Sequence, residues 1–228
     1  MQVSVVIPSF NEERRILSVI SVVKQCPHVN EIIVVDDGSD NLSHRILASI
    51  PDINLITHPQ NLGKSQALKT GTLQARGDLI TFLDADLVNL SLQHLTTLIQ
   101  PVKNRQYDIT LSQRDREYWK IFGNGFVVAF TGDRCLPKQL LLDNINIFDV
   151  QGYLIEASFN QRFFNSHYQT ARVRFDAVGH CPKHLKTGTL VGLRADIAMA
   201  NSIASYLGFK KLLKQVTFAS RLPLVSSV

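Results

Sequence analysis

Asp84 and Asp86 are the residues best placed for chemistry. They stand one residue apart in Thr81-Phe82-Leu83-Asp84-Ala85-Asp86-Leu87, at the end of the apolar run Leu79 to Leu83. Such a run reads as a buried strand, and the C-terminal ends of strands are where open α/β sheets bind ligands. Two carboxylates so placed suit a hard divalent cation, Mg²⁺ or Mn²⁺, which takes oxygen ligands and shares them with substrate phosphates. The same Asp-Ala-Asp also reads as a plain turn with a helix cap, where Asp is common. What surrounds the pair decides between the two.

The surrounding elements place three further clusters beside it. Gln2 to Ile7 reads as a strand ended by Pro8, with a helix from Asn11 carrying Ile16, Val19, Ile20 and Val23 at helical spacing. Glu31 to Val35 is a strand apolar on both faces, as a central parallel strand should be, and Asp36-Asp37-Gly38-Ser39-Asp40 ends it. A helix over Leu42 to Ile50, a strand over Ile53 to Thr57, the loop Asn61-Leu62-Gly63-Lys64 and a helix over Ser65 to Ala75 follow. Beyond the Asp pair come a helix over Leu90 to Leu98 with Pro101 after it, and a strand over Tyr107 to Leu111. Strict β/α alternation with short joins predicts a parallel sheet with helices on both faces. All four motif loops then line one rim of one sheet.

The remainder is less regular. Thr131-Gly132-Asp133-Arg134 precedes a helix with Pro137 near its start and Leu141, Ile145 and Phe148 on one face. Gly152 to Phe164 reads as a helix. Thr170 to Ala177 alternates as a half-exposed strand with Ala171, Val173, Phe175 and Ala177 inward. A polar loop from Gly179 to Gly192 carries His180, His184, Lys183 and Lys186, and two helices, Arg194 to Leu207 and Phe209 to Phe218, end the sequence.

At 228 residues, 45% hydrophobic and 19% charged, the sequence describes one globular domain with room for a substantial core. Net charge +5 fits anionic ligands without choosing among them. Three scattered cysteines imply no disulfide framework, and His180-Cys181-Pro182-Lys183-His184 lacks the second ligand pair of a zinc site. Gly63-Lys64-Ser65 is no phosphate loop of the Walker type, since the required leading glycine is His58. Nothing reads as a signal peptide or a spanning helix, so the expectation is a cytoplasmic protein that at most lies peripherally on a membrane.

Pro8-Ser9-Phe10-Asn11-Glu12, Asp36-Asp37-Gly38-Ser39 and Asp84-Ala85-Asp86 together resemble family 2 of the GT-A glycosyltransferases. More weakly, Gly132-Asp133-Arg134 and Gly152-Tyr153-Leu154-Ile155-Glu156 look like the acceptor-side motifs of that superfamily. The chain is similar to polyprenyl-phosphate sugar transferases and to glucosyl-3-phosphoglycerate synthase-like enzymes. The resemblance implies a single α/β domain of GT-A type with a mostly parallel sheet. Residues 1–112 would form a nucleotide-sugar half and 113–228 an acceptor half. It also implies a UDP- or GDP-linked sugar donor and Mn²⁺ or Mg²⁺.

Residue roles follow from the resemblance. Asp37, or else Asp36, would accept a base or ribose N–H or O–H, as an acceptor-only carboxylate can. Pro8 and Glu12 would shape that pocket, and Ser39 would serve it or cap the following helix. Lys64 would contact base or phosphate. Asp86 would ligate the metal, with Asp84 on ribose or metal and His180 recruited as a late ligand. Arg134 would pair a phosphate of donor or acceptor. Glu156 would be the general base or hold sugar hydroxyls.

From Ile197 onward the sequence has no Asp or Glu, and Phe209, Leu212, Leu213 and Val216 recur among Lys210, Lys211 and Lys214. This basic amphipathic segment has three readings: it lies on an anionic leaflet near a lipid-phosphate acceptor, packs on the sheet, or joins two copies in a homodimer. Rival functions are a sugar nucleotidyltransferase, against which the glycine-free loop after strand one argues, and a nucleotide-sugar-binding protein without transfer. No aromatic-interleaved basic strip points to nucleic acid.

Overall fold

The computed structural model describes residues 1–12, 15–114, 124–152, 154–164, 167–180 and 202–225. Val-rich segments with both faces buried form the middle of one eight-stranded sheet. Its strands are β1 (Val3–Ser9), β2 (Glu31–Asp36), β3 (Asn54–Thr57), β4 (Leu79–Phe82), β6 (Ile109–Arg114), β7 (Arg134–Pro137), β8 (Thr170–Phe175) and β10 (Leu224–Val225). The order across the sheet is β10-β8-β6-β7-β4-β1-β2-β3. β7 is antiparallel to both neighbours, and all the other pairings in this sheet are parallel. A separate two-residue pair joins β5 (Leu87–Val88) to β9 (Gly179–His180).

Alternation along β1 sends Val3, Val5 and Ile7 to one face and Val6 to the other. The first face is covered by α1 (Arg15–Gln25) and α4 (Leu92–Lys103), and all four helical-period residues of α1 are buried as their spacing predicts. The second face is covered by α3 (Lys64–Gln74), α6 (Lys138–Leu142) and α7 (Leu154–Phe163), where Phe82, Phe148 and Phe159 pack edge to face. α2 (Asn41–Ala48) follows β2, and α5 (Asn124–Ala129) packs against a C-terminal helix, Phe209–Arg221.

Several expectations need correction. A helix with Pro137 at its start is present as expected, the short α6 with Pro137 at its N-cap, but Arg134 to Pro137 before it is a strand; at four residues it is too short to show a period. β1 runs on through Pro8, which pairs with Val35. The missing N–H falls on the side where β4 has already left the ladder after Phe82, so no bond is lost. Pro101 sits inside α4, not after it. Ala177 is exposed, with positive φ at a turn, and Val178 takes the buried position. Cys181, His184 and the loop through Gly192, together with the start of the helix expected from Arg194, lie outside the described residues.

Candidate active site

The parallel strands β1, β2 and β4 bring Ser9, Asp36 and Asp84 to one rim. β7, running backwards, delivers Arg134 there from its first residue, opposite Phe82. The expectation of one shared edge is met by the backbone alone.

The first two motif loops are sewn together. The Asn11 N–H donates to Ser39 Oγ across 3.0 Å, and Asn11 Oδ1 accepts from the Asp40 N–H at 2.9 Å. Asp36 Oδ1 accepts from the Ser39 N–H at 3.1 Å, and its Oδ2 meets His44 Nδ1 at 3.0 Å. Asp40, not Ser39, caps α2 by accepting from the Ser43 N–H. Those amide bonds hold the Asp40 carboxyl below its usual range. Glu12 pairs with Arg15 at 2.6 Å.

Asp37 is buried and faces the next loop. Its two oxygens accept from the N–H groups of Leu62 at 3.0 Å and Gly63 at 2.8 Å. His58 Nδ1 lies 2.7 Å from the same carboxylate, and His58 Nε2 lies 3.0 Å from Thr70 Oγ1. Gly38 has positive φ, and a Cβ on it would fall 2.4 Å from the Gln60 carbonyl carbon, so only glycine lets the two loops touch. Asp36 and Asp37, expected from sequence at the base pocket, also hold these loops in place.

Gly63, the residue held by Asp37, caps α3 with φ +92, and Lys64 begins the helix. A cation at a helix N-terminus is opposed by the dipole, and two acids offset it. Lys64 Nζ donates to Asp84 Oδ1 at 2.8 Å and to Glu156 Oε1 at 2.7 Å. Glu156 sits in the first turn of α7, where the dipole favours a carboxylate. Asp84 Oδ2 accepts from Arg114 at 2.9 Å, and Arg114 Nε lies 2.8 Å from Asp133. Asp133 also accepts from Ser112 Oγ and from the Asp84 N–H.

Burial alone lowers the Lys64 ammonium, but Asp84 and Glu156 outweigh it, and the net displacement is upward. Arg114 moves the same way: burial lowers it, and Asp133, Asp84 and Asp86 raise it further. Arg134 shows the opposite balance. It donates to the Thr131 carbonyl at 2.6 Å and lies over the Phe159 ring at 4.5 Å. Burial exceeds the pull of Glu156, Asp133 and Asp84 and brings it down to about 10. Gly132 closes the network: a Cβ there would lie 2.7 Å from Asp84 Oδ1 and 2.8 Å from Lys64 Nζ.

Asp86 occupies the turn between β4 and β5, and Leu87 pairs with His180. The backbone therefore brings His180 beside the Asp-Ala-Asp turn, 94 residues away in sequence. Among the described residues no three His, Cys, Asp or Glu side chains converge as a metal cluster, and the His180 side chain is outside that description. Both Asp84 oxygens face cations, and the half-buried Asp86 acts on Arg114 as well. Carboxylate oxygens of this kind suit Mn²⁺ or Mg²⁺.

The residues that sequence reasoning missed are Arg114, Asp133 and His58. Arg114 ends a strand at the rim, and Asp133 is the middle residue of the noted Gly132-Asp133-Arg134, so position on the sheet and within that motif was the available signal. Nothing local marks His58.

An α/β fold with a mixed, mostly parallel sheet and an acidic rim after β4 defines a GT-A-like protein. A model of glycosyl transferase family 2 matches residues 4–171, and the chain belongs to that family. It is 40% identical over 97 residues to the undecaprenyl-phosphate 4-deoxy-4-formamido-L-arabinose transferase of Proteus mirabilis, covering 39% of this chain and 30% of that protein. It is 32% identical over 96 residues to a dolichyl-phosphate beta-glucosyltransferase of Trichomonas vaginalis, covering 36% and 30%. The matches thus span less than a third of these relatives' length. The fold is similar to that of glucosyl-3-phosphoglycerate synthase from Mycobacterium tuberculosis, solved with Mn²⁺, UDP and phosphoglyceric acid. The TM-score is 0.67 at 20% identity, covering 97% of this chain and 79% of that one.

Proposed function

We propose that the protein transfers a glycosyl group from a UDP- or GDP-linked sugar to a phosphate-bearing acceptor, with a lipid phosphate as the acceptor class its sequence relatives' names favour. The observation that carries this reading is the bridge from Asp84 through Lys64 to Glu156, set beside the Asp86 turn that pairs with the His180 strand. Asp84, Asp86, Asp133 and Glu156 face Lys64, Arg114 and Arg134, one negative charge in excess among these residues. A divalent cation bound there would reverse that sign and suit the rim to a diphosphate.

Asp86 and His180 would hold Mn²⁺ or Mg²⁺, which acts as a Lewis acid on the departing diphosphate. Asp37 sets the Leu62–Gly63 loop that floors the nucleoside side and fixes where Lys64 begins. Lys64 balances Asp84 and orients Glu156 toward the transferred sugar. A phosphate acceptor arrives ionised and needs no base, so Glu156 then binds sugar hydroxyls; for an alcohol acceptor it takes the proton. Arg134, buried over Phe159, acts on Glu156 through its field.

The test is a panel of UDP- and GDP-sugars, with and without Mn²⁺, scored by thermal stabilisation and then by nucleoside diphosphate release with a polyprenyl-phosphate acceptor. Metal-dependent stabilisation by one donor, followed by release, is the expected result. Release of pyrophosphate from a sugar phosphate and a nucleoside triphosphate would replace the reading with nucleotidyl transfer. Binding with no turnover on any acceptor would reduce it to a binding protein.

A further inference from the structure

The C-terminal helix, Phe209–Arg221, carries apolar residues on its outer side as well as its inner one. An amphipathic helix ordinarily turns its apolar stripe to the core. Here the fully buried positions are Gln215 and Ala219. Gln215 Nε2 donates to the Ala157 carbonyl at 3.1 Å. Gly125 approaches so closely that a Cβ would lie 2.4 Å from the Val216 carbonyl oxygen. The contact with the rest of the protein is made by these groups together with Leu212, which packs on Ala157, Ile203 and Leu207, and Phe218, which stacks on Phe164 at 4.9 Å. Outward stand Phe209, 76% exposed, and Leu213, 55% exposed, with Tyr206 before them and Leu224 beyond.

At about 100° per residue, Phe209 and Leu213 share one line along the helix, and Lys210, Lys214 and Arg221 form the adjoining line. All three cations are exposed. They border a groove of about 680 Å³ between the helix and β8, walled by Tyr168, Thr170 and Phe218, with no carboxylate among the described residues that line it. Scattered surface hydrophobes need no explanation; an apolar line flanked by a cationic line does.

We infer that this face docks on an anionic lipid bilayer. Phe209 and Leu213 enter the boundary between headgroups and acyl chains, and Lys210, Lys214 and Arg221 meet lipid phosphates. Charge selects this occupant over a second copy of the chain, because two such faces would oppose like charges across the contact. The inference does not rest on the transfer reading, since its readout is binding alone.

The test is co-sedimentation of the full chain with phosphatidylcholine vesicles, with and without phosphatidylglycerol. The protein should pellet with the anionic vesicles and be released by high salt, which screens such contacts. The triple variant Lys210→Gln, Lys214→Gln, Arg221→Gln should bind roughly a hundredfold more weakly. Phe209→Ser with Leu213→Ser should also release the protein; both sites are exposed, so circular dichroism should be unchanged. Asp86→Ala should bind vesicles like the parent, which separates this result from any failure of transfer. Equal binding to neutral vesicles, or no binding to either, overturns the inference. So does self-association abolished by the serine pair, or release by inorganic phosphate at matched ionic strength.

Discussion

Lys64 donates to Asp84 across 2.8 Å and thereby joins the start of α3 to the acidic turn after β4. The same ammonium holds Glu156, 92 residues further on. Lys64→Met should take the Lys64 ammonium from buried Glu156 and leave Asp84 to Arg114. The lysine side chain is 29% exposed, so solvent offsets part of the penalty, and about 1–3 kcal/mol is expected in urea unfolding. Donor-dependent thermal stabilisation should weaken in the same variant. Parent-like values for both would remove Lys64 from the site.

Gly132 has no room for a side chain. In Gly132→Ala the new methyl would press on the side-chain ends of Asp84 and Lys64, which must part to admit it, at a stability cost of about 1 kcal/mol or less. The loss of diphosphate release should exceed what that destabilisation explains at a temperature where the variant is folded. Full activity would show that the Asp84–Lys64 contact is dispensable.

His58 supports the site without lying in it. His58→Ala removes a partner from Asp37 and leaves Thr70 Oγ1 without the ring, at a cost of about 1–3 kcal/mol. Hydrogen exchange should locate the effect: the Leu62 and Gly63 amides, held by Asp37, should exchange faster while the β1 amides do not. Uniform acceleration across the sheet would make His58 a general core residue.

Burial pushes the Cys135 thiol up from 9.0 to about 12. The folded chain keeps this proton where the unfolded chain has lost it, so unfolding releases a proton above pH 9.0. Stability should be complete below that pH and fall by up to about 1.4 kcal/mol per pH unit on the way to about 12. Cys135→Ala should flatten the alkaline limb of a stability–pH curve measured by denaturant. An unchanged slope would assign the limb to other groups.

Much was legible in the sequence because parallel β/α order leaves no choice: strands of one direction end on one edge, so motifs that follow strands must meet. The Val-rich strands, the four buried residues of α1 and the rim holding Asp36 and Asp84 all follow from period and order. Tertiary structure alone decided which carboxylates are taken. Asp37 belongs to the 62–63 amides, Asp84 to Lys64 and Arg114, and Asp36 to Ser39 and His44. It also inserted β7 backwards between β4 and β6, and it turned Phe209 outward while Gln215 went in. Local spacing reports which face of its own element a side chain occupies. It carries no term for a partner that approaches from 20 or 92 residues away, and those long-range pairs assemble this site.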